Sequence, residues 1–287
     1  MADPLYRNDW QISIIACPEP YHCVRRRLGN ATLHSTEVHD MPTAGELTYF
    51  SQIGEAGRHY AISKPFAGDE CPILFADLAL LFAKLPRPPA RVLECGCGTG
   101  WLSYFLAKRG YDVTGQDVSE EALALARENP TFTDMRGKIE FICSDFEGIK
   151  MQNVYDAVVF YGSLHHATDE LAAIRCAYET LKPGGMFISF EPGVGHKKAS
   201  QAVIATYDVG DRDMPPFLQF RQGKKVGFRN FECLVHPAHL QKLFHRSDPP
   251  TALRSRLLRL PLVPLIAAAL LQLGLKRRHG VAIMYKP

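Results

Sequence analysis

A glycine-rich turn near residue 96 offers both the backbone freedom and the side chains for binding a ligand. Residues 92–100 read Val-Leu-Glu-Cys-Gly-Cys-Gly-Thr-Gly, so glycine recurs at every second position. The apolar start of this run predicts a buried strand, and a helical pattern follows the last glycine. Glycine lets a ligand approach the main chain without a Cβ in the way, and the next helix points its free N–H groups at that ligand. The turn therefore predicts a binding site.

Two acids flank this turn, and each favours a different part of a ligand. Asp117 ends the next predicted strand, about 20 residues after Gly96, where a βαβ unit presents a carboxylate to a ribose. Glu94 would repel a pyrophosphate but would suit a ligand that carries an ammonium group. A dinucleotide site also requires glycine at the last position of G-x-G-x-x-G, and this chain has Trp101 there. An NAD-dependent oxidoreductase is therefore disfavoured.

These residues resemble motif I of the class I S-adenosylmethionine-dependent methyltransferases. The resemblance covers residues 90–192 and implies S-adenosylmethionine as the cofactor and S-adenosylhomocysteine as the product. In that family the first acid lies near the methionine amino end, the glycines pass under the ligand, and the second acid holds both ribose hydroxyls. The cofactor-binding residues that the resemblance implies here are Glu94, Gly96, Cys97, Gly98, Gly100, Trp101, Asp117 and Val118.

Two further segments carry the same resemblance, each directly after a predicted strand. In the family, an acid at the position of Asp145 accepts a hydrogen bond from the adenine amino group, and the next residue, here Phe146, flanks the ring. Residues 160–167 read Phe-Tyr-Gly-Ser-Leu-His-His-Ala and resemble the Leu-His-His signature of small-molecule members. That segment borders the methyl group, and Tyr161 is expected to bind the cofactor. It lacks the Asn/Asp-Pro-Pro-aromatic motif of enzymes that methylate amide or adenine nitrogens and the Pro-Cys motif of cytosine C5 enzymes. The commonest DNA-modifying classes, and a nucleic-acid partner in general, are therefore disfavoured.

Adjacent histidines in this signature predict the catalytic base. Placing donor and acceptor in line supplies much of the rate of a methyl transfer, but an acceptor hydroxyl must also lose its proton, for which histidine is the usual base. The side chains of His165 and His166 diverge, and we expect His166 to face the acceptor. Glu191 is a second candidate base or a group that orients a hydroxyl, and His196 is a weaker candidate. We expect no metal, because the Asp/Asn/His set of Mg²⁺-dependent catechol enzymes is not recognisable.

Strands and helices alternate regularly from residue 91 to residue 191, which predicts a parallel sheet covered on both faces. The resemblance implies a doubly wound, mostly parallel, seven-stranded α/β sheet whose antiparallel last strand, 281–285, enters beside the fifth. Ligands bind such a sheet at the carboxyl ends of its strands. The predicted organisation is a helical leader or lid at 1–89, a cofactor-binding core at 90–191, a substrate cap at 192–235 inserted after the fifth strand, and a C-terminal completion of the core at 236–287.

The leader precedes the first strand and should fold over the mouth of the site. Its apolar patterns predict helices at 46–54 and 72–85. Tyr49 and Lys64 are the leader residues expected to touch the cofactor, Lys64 by pairing with the methionine carboxylate.

Charge is divided unevenly along a chain whose net charge is only +3. Residues 1–191 hold 17 basic and 25 acidic side chains, whereas residues 192–287 hold 16 basic and 5 acidic ones. The basic part either neutralises the acidic part or meets an anionic partner.

Residues 257–275 form a strongly apolar segment with basic residues on both sides. A transmembrane helix needs about 20 nearly uninterrupted apolar residues, and this segment is interrupted by Arg259, Pro261, Pro264 and Gln272. We therefore predict a buried or interfacial helix, with peripheral membrane contact through 254–278.

Cysteine usage and the first residues indicate the compartment. The 8 cysteines include no Cys-x-x-Cys pair, so neither a zinc knuckle nor a disulfide framework is expected. The apolar run at 12–16 is too short for a signal peptide. We expect a cytoplasmic protein, in part at the inner face of the membrane.

The sequence thus predicts a methyltransferase for a small or amphiphilic acceptor, with a hydroxyl or carboxyl oxygen as the favoured site. The leader and the cap are similar to those of bacterial enzymes of secondary metabolism or of glycan and lipid modification. Three alternatives stay open: methylation of nitrogen or carbon in a small molecule, methylation of RNA or protein, and a non-catalytic protein that binds S-adenosylmethionine.

Overall fold

The structure is a computed structural model and describes residues 44–129, 135–244, 260 and 262–287. Two parts of the predictions lie outside these residues. They are the leader at 1–43 and the stretch 254–259 of the expected membrane contact.

In the described part of the chain, three helices precede the sheet: α1 (Ala44–Gln52), α2 (Gly54–Ile62) and α3 (Cys71–Lys84). The predicted helices at 46–54 and 72–85 correspond to α1 and α3, whereas α2 was not predicted. The hydroxyl of Thr99 donates to the carbonyl of Ala61 over 2.8 Å, and Arg58 forms an ion pair with Glu121. These contacts tie α2 to the glycine turn and to the core.

Seven strands form one sheet, in the spatial order β3-β2-β1-β4-β5-β7-β6. Strands β1 to β5 pair in parallel, and β7 pairs antiparallel with both β5 and β6. The predicted α/β class is therefore confirmed, as is the entry of the last strand beside the fifth. The strands are β1 (Arg91–Cys95), β2 (Asp112–Asp117), β3 (Ile139–Cys143), β4 (Tyr155–Tyr161), β5 (Leu181–Phe190), β6 (Arg229–Val235) and β7 (Gly280–Tyr285).

Two apolar cores lie on opposite faces of the sheet, because successive side chains of a strand point to opposite faces. Val92 packs into one core with Leu81 of α3 and Ile283 of β7. Its neighbour Leu93 packs into the other core with Phe187 of β5. All four strand residues are fully buried. Burial on both faces explains why β1 reads as a nearly continuous apolar run rather than an alternating one.

The helices between the strands begin and end where local chemistry predicts. They are α4 (Trp101–Arg109), α5 (Glu120–Glu128) and α6 (Glu170–Thr180), with a 3₁₀ turn at Leu164–His166. The hydroxyl of Ser119 accepts a hydrogen bond from the N–H of Ala122 over 3.2 Å, so Ser119 is the N-cap of α5. Gly110 ends α4 in the left-handed conformation that favours glycine.

After β5 the chain leaves the sheet through α7 (His196–Ala199), α8 (Gln201–Tyr207) and α9 (Pro216–Val226). We call residues 191–228 the cap segment. The predicted cap at 192–235 also contains β6, which the sequence pattern did not reveal. Most of β6 is exposed or half-buried, because it is an edge strand, and its apolar signal is correspondingly weak.

The chain returns to the sheet through α10 (Pro237–Phe244), α11 (Val263–Leu270), a π-helical turn (Leu271–Leu275) and α12 (Lys276–His279). Several apolar side chains here are exposed: Leu265 by 60%, Ile266 by 59% and Leu273 by 82%. These side chains are therefore not buried, and the interfacial environment stays a prediction. No helix in the described part of the chain has both the length and the apolar character to cross a membrane.

We predict that Ile283→Ala lowers the free energy of unfolding by about 2–5 kcal/mol, because it leaves a cavity in a fully buried site. Urea denaturation followed by circular dichroism measures this. Ile266→Ala is the matched control, and we expect its effect to stay within about 0.5 kcal/mol at an exposed position. Equal losses in the two variants would contradict the assigned packing of β7.

Candidate active site

A cavity of about 640 Å³ opens at the carboxyl ends of the parallel strands. This volume falls within the range of about 300–1,000 Å³ that is typical of small-molecule sites. α1 and the cap segment complete its wall, so this described part of the leader lies at the strand ends. The cavity brings together nine of the predicted site residues: Tyr49, Gly96, Asp117, Val118, Asp145, Phe146, His165, His166 and His196.

The glycine turn is held against β2 by backbone hydrogen bonds. The N–H groups of Gly96 and Cys97 both donate to the carbonyl of Gln116, over 2.7 and 2.9 Å. Gly96 has a φ of +72°, and a Cβ there would lie 2.3 Å from the Cβ of Ser163. Only glycine fits this position, because a side chain would be strained and would also collide with the turn after β4.

Asp117 connects the same turn to the cavity. Its Oδ2 accepts a hydrogen bond from the N–H of Gly98 over 2.8 Å, and its Oδ1 accepts one from the N–H of Ser119 over 2.9 Å. Burial raises the pKa of this carboxyl, and both N–H groups act in the opposite direction. Asp117 therefore shapes the glycine turn as well as lining the cavity.

Asp145 and Phe146 follow β3, and both line the cavity. The ring of Phe146 packs edge-on against Phe160, with 5.4 Å between centroids. This contact fixes the ring of Phe146 at the cavity wall, and Asp145 and Phe146 are the pair that the resemblance assigns to an adenine.

Other predicted cofactor residues lie behind the cavity wall. Glu94 is buried beneath the turn, where it accepts a hydrogen bond from the hydroxyl of Ser103, and burial raises its pKa to about 8. The ring of Trp101 packs against that of Tyr161, whose hydroxyl donates to Asp77 over 2.7 Å. The contacts of these side chains are with other parts of the protein, so they stabilise the fold around the glycine turn.

Four more predicted residues are also absent from the described lining of the cavity. Gly98, Gly100 and the buried Cys97 shape the turn itself. The ammonium of Lys64 lies 5.4 Å from the ring centroid of Tyr60, and burial lowers its pKa.

Glu191 organises the turn that follows β4. Its Oε1 accepts hydrogen bonds from the N–H groups of Ser163 and Leu164 over 3.0 and 2.9 Å. Its Oε2 lies 2.6 Å from Nδ1 of His165. A carboxylate occupied by this many donors is poorly placed to take a proton from an acceptor. The geometry disfavours Glu191 as a base. Its carboxylate orients His165, and its other predicted role, orienting a hydroxyl, stays a prediction.

His166 has one ring nitrogen occupied by the protein. Its Nδ1 lies 2.6 Å from the carbonyl oxygen of Gly210 and 3.2 Å from Oε1 of Glu46. Both partners accept, so Nδ1 carries a proton, and in the neutral ring Nε2 holds the lone pair. Burial lowers the pKa of His166, but Glu46 and the Gly210 carbonyl outweigh it and leave the pKa above its usual value.

Two acids of the site escaped the sequence analysis because only tertiary structure brings them to the histidines. Glu46 reaches His166 from α1. Asp211, in the cap segment, places Oδ1 2.7 Å from Nε2 of His196 and 3.6 Å from Nε2 of His165. The only sequence signal was the position of both acids in segments predicted to cover the site.

The described lining of the cavity is anionic. It contains no lysine and no arginine, but six carboxylic acids: Glu46, Glu70, Asp117, Asp145, Glu147 and Asp211. Such a wall attracts a cation, for example a sulfonium or an ammonium, and repels phosphate groups.

Comparisons with known proteins agree with this geometry. Residues 92–185 match the family model described as a methyltransferase domain. The chain is 31% identical over 118 residues to a ubiquinone biosynthesis O-methyltransferase of Hydrogenovibrio crunogenus, covering 41% of this chain and 49% of that protein. It is 38% identical over 97 residues to the protein of that name from Aliivibrio fischeri, covering 33% and 41%. The aligned part thus spans less than half the length of these curated relatives.

Solved structures show the same fold. Phosphoethanolamine N-methyltransferase 2 of Haemonchus contortus, solved with S-adenosyl-L-methionine, superposes with a TM-score of 0.57 at 19% identity, covering 85% of this chain and 60% of that one. A methyltransferase from Mesorhizobium loti gives a TM-score of 0.50 at 18% identity, covering 74% and 98%. Residues 92–185 thus match a methyltransferase domain, and the solved structures show that the fold around this domain is shared with methyltransferases.

Proposed function

We propose that the protein transfers the methyl group of S-adenosylmethionine to an oxygen atom of a small or amphiphilic acceptor, with a hydroxyl as the favoured group. The observation that carries this proposal is a histidine nitrogen with a free lone pair, Nε2 of His166, in the same cavity as Asp117 and Asp145. The curated relatives are named as O-methyltransferases, which supports oxygen over nitrogen or carbon.

The cofactor end of the cavity fits the family's nucleoside site. Asp117 would accept hydrogen bonds from the ribose hydroxyls, and Asp145 would accept one from the adenine amino group beside the ring of Phe146. The anionic lining suits a sulfonium. Glu94, Trp101 and Tyr161 would act from behind the wall, by keeping the glycine turn in shape.

The acceptor end would be built around His166. When bound, S-adenosylmethionine supplies an electrophilic methyl group. Nε2 of His166 would take the hydroxyl proton, and the nearby carboxylate of Glu46 would stabilise the imidazolium that results, as the aspartate does in a catalytic triad. Glu191 would hold the turn that carries both histidines.

The anionic lining and the free nitrogen of His166 disfavour two of the alternative functions, RNA methylation and cofactor binding without catalysis. An RNA substrate would have to bring phosphates to a wall of carboxylates, which costs free energy, although residues 192–287 are basic elsewhere. A protein that binds the cofactor without catalysis would have no use for the free nitrogen of His166.

An amphiphilic acceptor agrees with the surface around α11. Exposed leucine and isoleucine side chains on α11 and the π-helical turn precede the basic run Lys276, Arg277 and Arg278. Apolar side chains beside basic ones suit the interface of an anionic bilayer. We therefore propose peripheral membrane contact through this segment, which would give access to a lipid-borne acceptor.

A methyl-transfer assay tests the function. The full chain is incubated with S-adenosylmethionine labelled in its methyl group and with hydroxylated acceptors, including amphiphilic phenols and sugars, and label is counted in the extracted product. Label in a methyl ether or ester that depends on the enzyme is the expected result. Label found only in RNA or protein would contradict a small acceptor.

We predict that Asp117→Ala weakens binding of S-adenosylhomocysteine by about 1–3 kcal/mol, or about 5- to 150-fold, because charge-assisted hydrogen bonds to the ribose are lost. Calorimetric titration measures the affinity. Asp112→Ala is the matched control, because Asp112 begins the same strand and accepts a hydrogen bond from the backbone of Lys138. Unchanged affinity in Asp117→Ala would remove the ribose assignment.

We predict that His166→Asn lowers kcat by about 10²- to 10⁴-fold, the usual contribution of a positioned base, and leaves the affinity for S-adenosylhomocysteine unchanged. Initial rates and calorimetry on the same preparations give both quantities. His59→Asn, an exposed position on α2, serves as the control and should keep full activity. A wild-type rate in His166→Asn would exclude it as the base.

We predict that the full chain sediments with vesicles containing anionic phospholipid at low salt, and that Leu265→Asp combined with Leu273→Asp abolishes this. The new charges would enter the apolar face of the contact. Phe66→Asp, at another exposed apolar position, is the control and should still sediment. If the double variant sediments as the wild type does, the α11 surface is not the contact.

A further inference from the structure

Three side chains converge on the cap side of the cavity without being used in the proton transfer described above. They are His165 from the turn after β4, and His196 and Asp211 from the cap segment; we call them the cap cluster. Nε2 of His196 lies 2.7 Å from Oδ1 of Asp211, and Nε2 of His165 lies 3.6 Å from the same oxygen. One nitrogen or oxygen atom from each residue lies within 4.8 Å of the other two.

Two of the three side chains of the cap cluster are shielded from water, whereas the side chain of His196 is 31% exposed. The side chain of Asp211 is 6% exposed and that of His165 is 8% exposed. Oδ1 of Asp211 is buried and makes no hydrogen bond within the described residues, although it is in close contact with His196. A buried carboxylate oxygen without a hydrogen bond lowers the stability of the fold unless a cation or a proton binds it.

Glu191 determines which atom of His165 faces the cluster. Because its carboxylate accepts from Nδ1 of His165 over 2.6 Å, that nitrogen carries a proton and Nε2 presents its lone pair to Asp211. Nε2 of His165 and Oδ1 of Asp211 are then two acceptors that face each other. The carboxylate of Glu191, on the other side of the imidazole, occupies the position of the usual outer partner of a metal-bound histidine.

We propose that the cap cluster binds a divalent transition-metal ion, with Zn²⁺ as the favoured ion, through Nε2 of His165, Nε2 of His196 and Oδ1 of Asp211. Two imidazoles and one carboxylate form a three-ligand set of the kind that leaves coordination positions open at catalytic zinc and iron sites. Mg²⁺ is disfavoured, because it prefers oxygen ligands throughout.

The open positions of the ion would face the cavity, since all three ligands line it. This role rests on the proposed function. An acceptor hydroxyl bound there would lose its proton more readily. Its oxygen would then bond to the methyl carbon as the carbon–sulfur bond breaks, leaving S-adenosylhomocysteine, and the hydroxyl proton would pass to a base in the cavity.

Calorimetric titration of the full chain with Zn²⁺, after treatment with a chelator, tests the site without cofactor or acceptor present. The wild type should bind one ion per chain. Asp211→Asn and His196→Gln should bind about 100-fold more weakly or less, because each removes a ligand, and Glu191→Gln about 10- to 100-fold more weakly, because it removes only the outer partner. Asp208→Asn is the matched control in the same segment and should bind as the wild type does.

Equal Zn²⁺ affinity in the wild type and in Asp211→Asn would overturn the proposal, as would the absence of stoichiometric binding to the wild type. If a variant does not fold by circular dichroism, the wild type is loaded with Co²⁺ instead. Visible ligand-field bands that disappear on adding Zn²⁺ would support the site, and a spectrum identical to that of Co²⁺ in buffer would contradict it.

Titration of the same preparations with S-adenosylhomocysteine separates the two proposals. Binding of S-adenosylhomocysteine without Zn²⁺ binding overturns only the metal site. Binding of Zn²⁺ without S-adenosylhomocysteine leaves the metal site standing and removes the proposed function.

Discussion

The position of both the histidine turn after β4 and the glycine turn after β1 depends on the carboxylate of Glu191. A buried carboxylate without partners would cost several kcal/mol, and here backbone N–H groups and an imidazole satisfy it through charge-assisted hydrogen bonds. These bonds fix the turn that carries His165 and His166. In the same turn, Ser163 packs against Gly96. The hydroxyl of Ser163 donates a hydrogen bond to the carbonyl of Cys95. One acid thus links the histidines to the glycine turn.

Electrostatics distinguishes this cavity from a phosphate-binding site on a similar sheet. The acidic part of the chain supplies five of the six lining acids, and the lysines and arginines of the basic part stay out of the described lining. The titratable side chains that the basic part contributes to the lining are His196 and Asp211. The cavity therefore keeps a field that suits a sulfonium.

The alternation of strands and helices was sufficient to predict the core, because burial on both faces leaves a strong apolar signal in strands such as β1. The edge strand β6 was missed because it is only partly buried and its signal is weak. Among the site residues, the acids after β2 and β3 could be found from their position at strand ends. Glu94 and Trp101 lie next to the glycine turn in sequence, yet their side chains point into the fold, which spacing alone does not reveal.

The contacts that could not be predicted from the sequence join residues of segments that lie far apart along the chain. Glu46 meets His166 from α1, and Asp211 meets His165 from the cap segment. No periodicity relates such residues, since the leader and the cap segment lie outside the alternating core. Their partners became apparent only when the strand ends, the leader and the cap segment were seen around one cavity.

Calorimetric titration of the full chain with S-adenosylhomocysteine, run beside NAD, tests whether this cavity holds the S-adenosyl cofactor. We expect micromolar binding of S-adenosylhomocysteine and no binding of NAD, whose pyrophosphate would meet the anionic wall. Binding of NAD, or no binding of S-adenosylhomocysteine, would contradict the interpretation of the glycine turn and every role assigned around it.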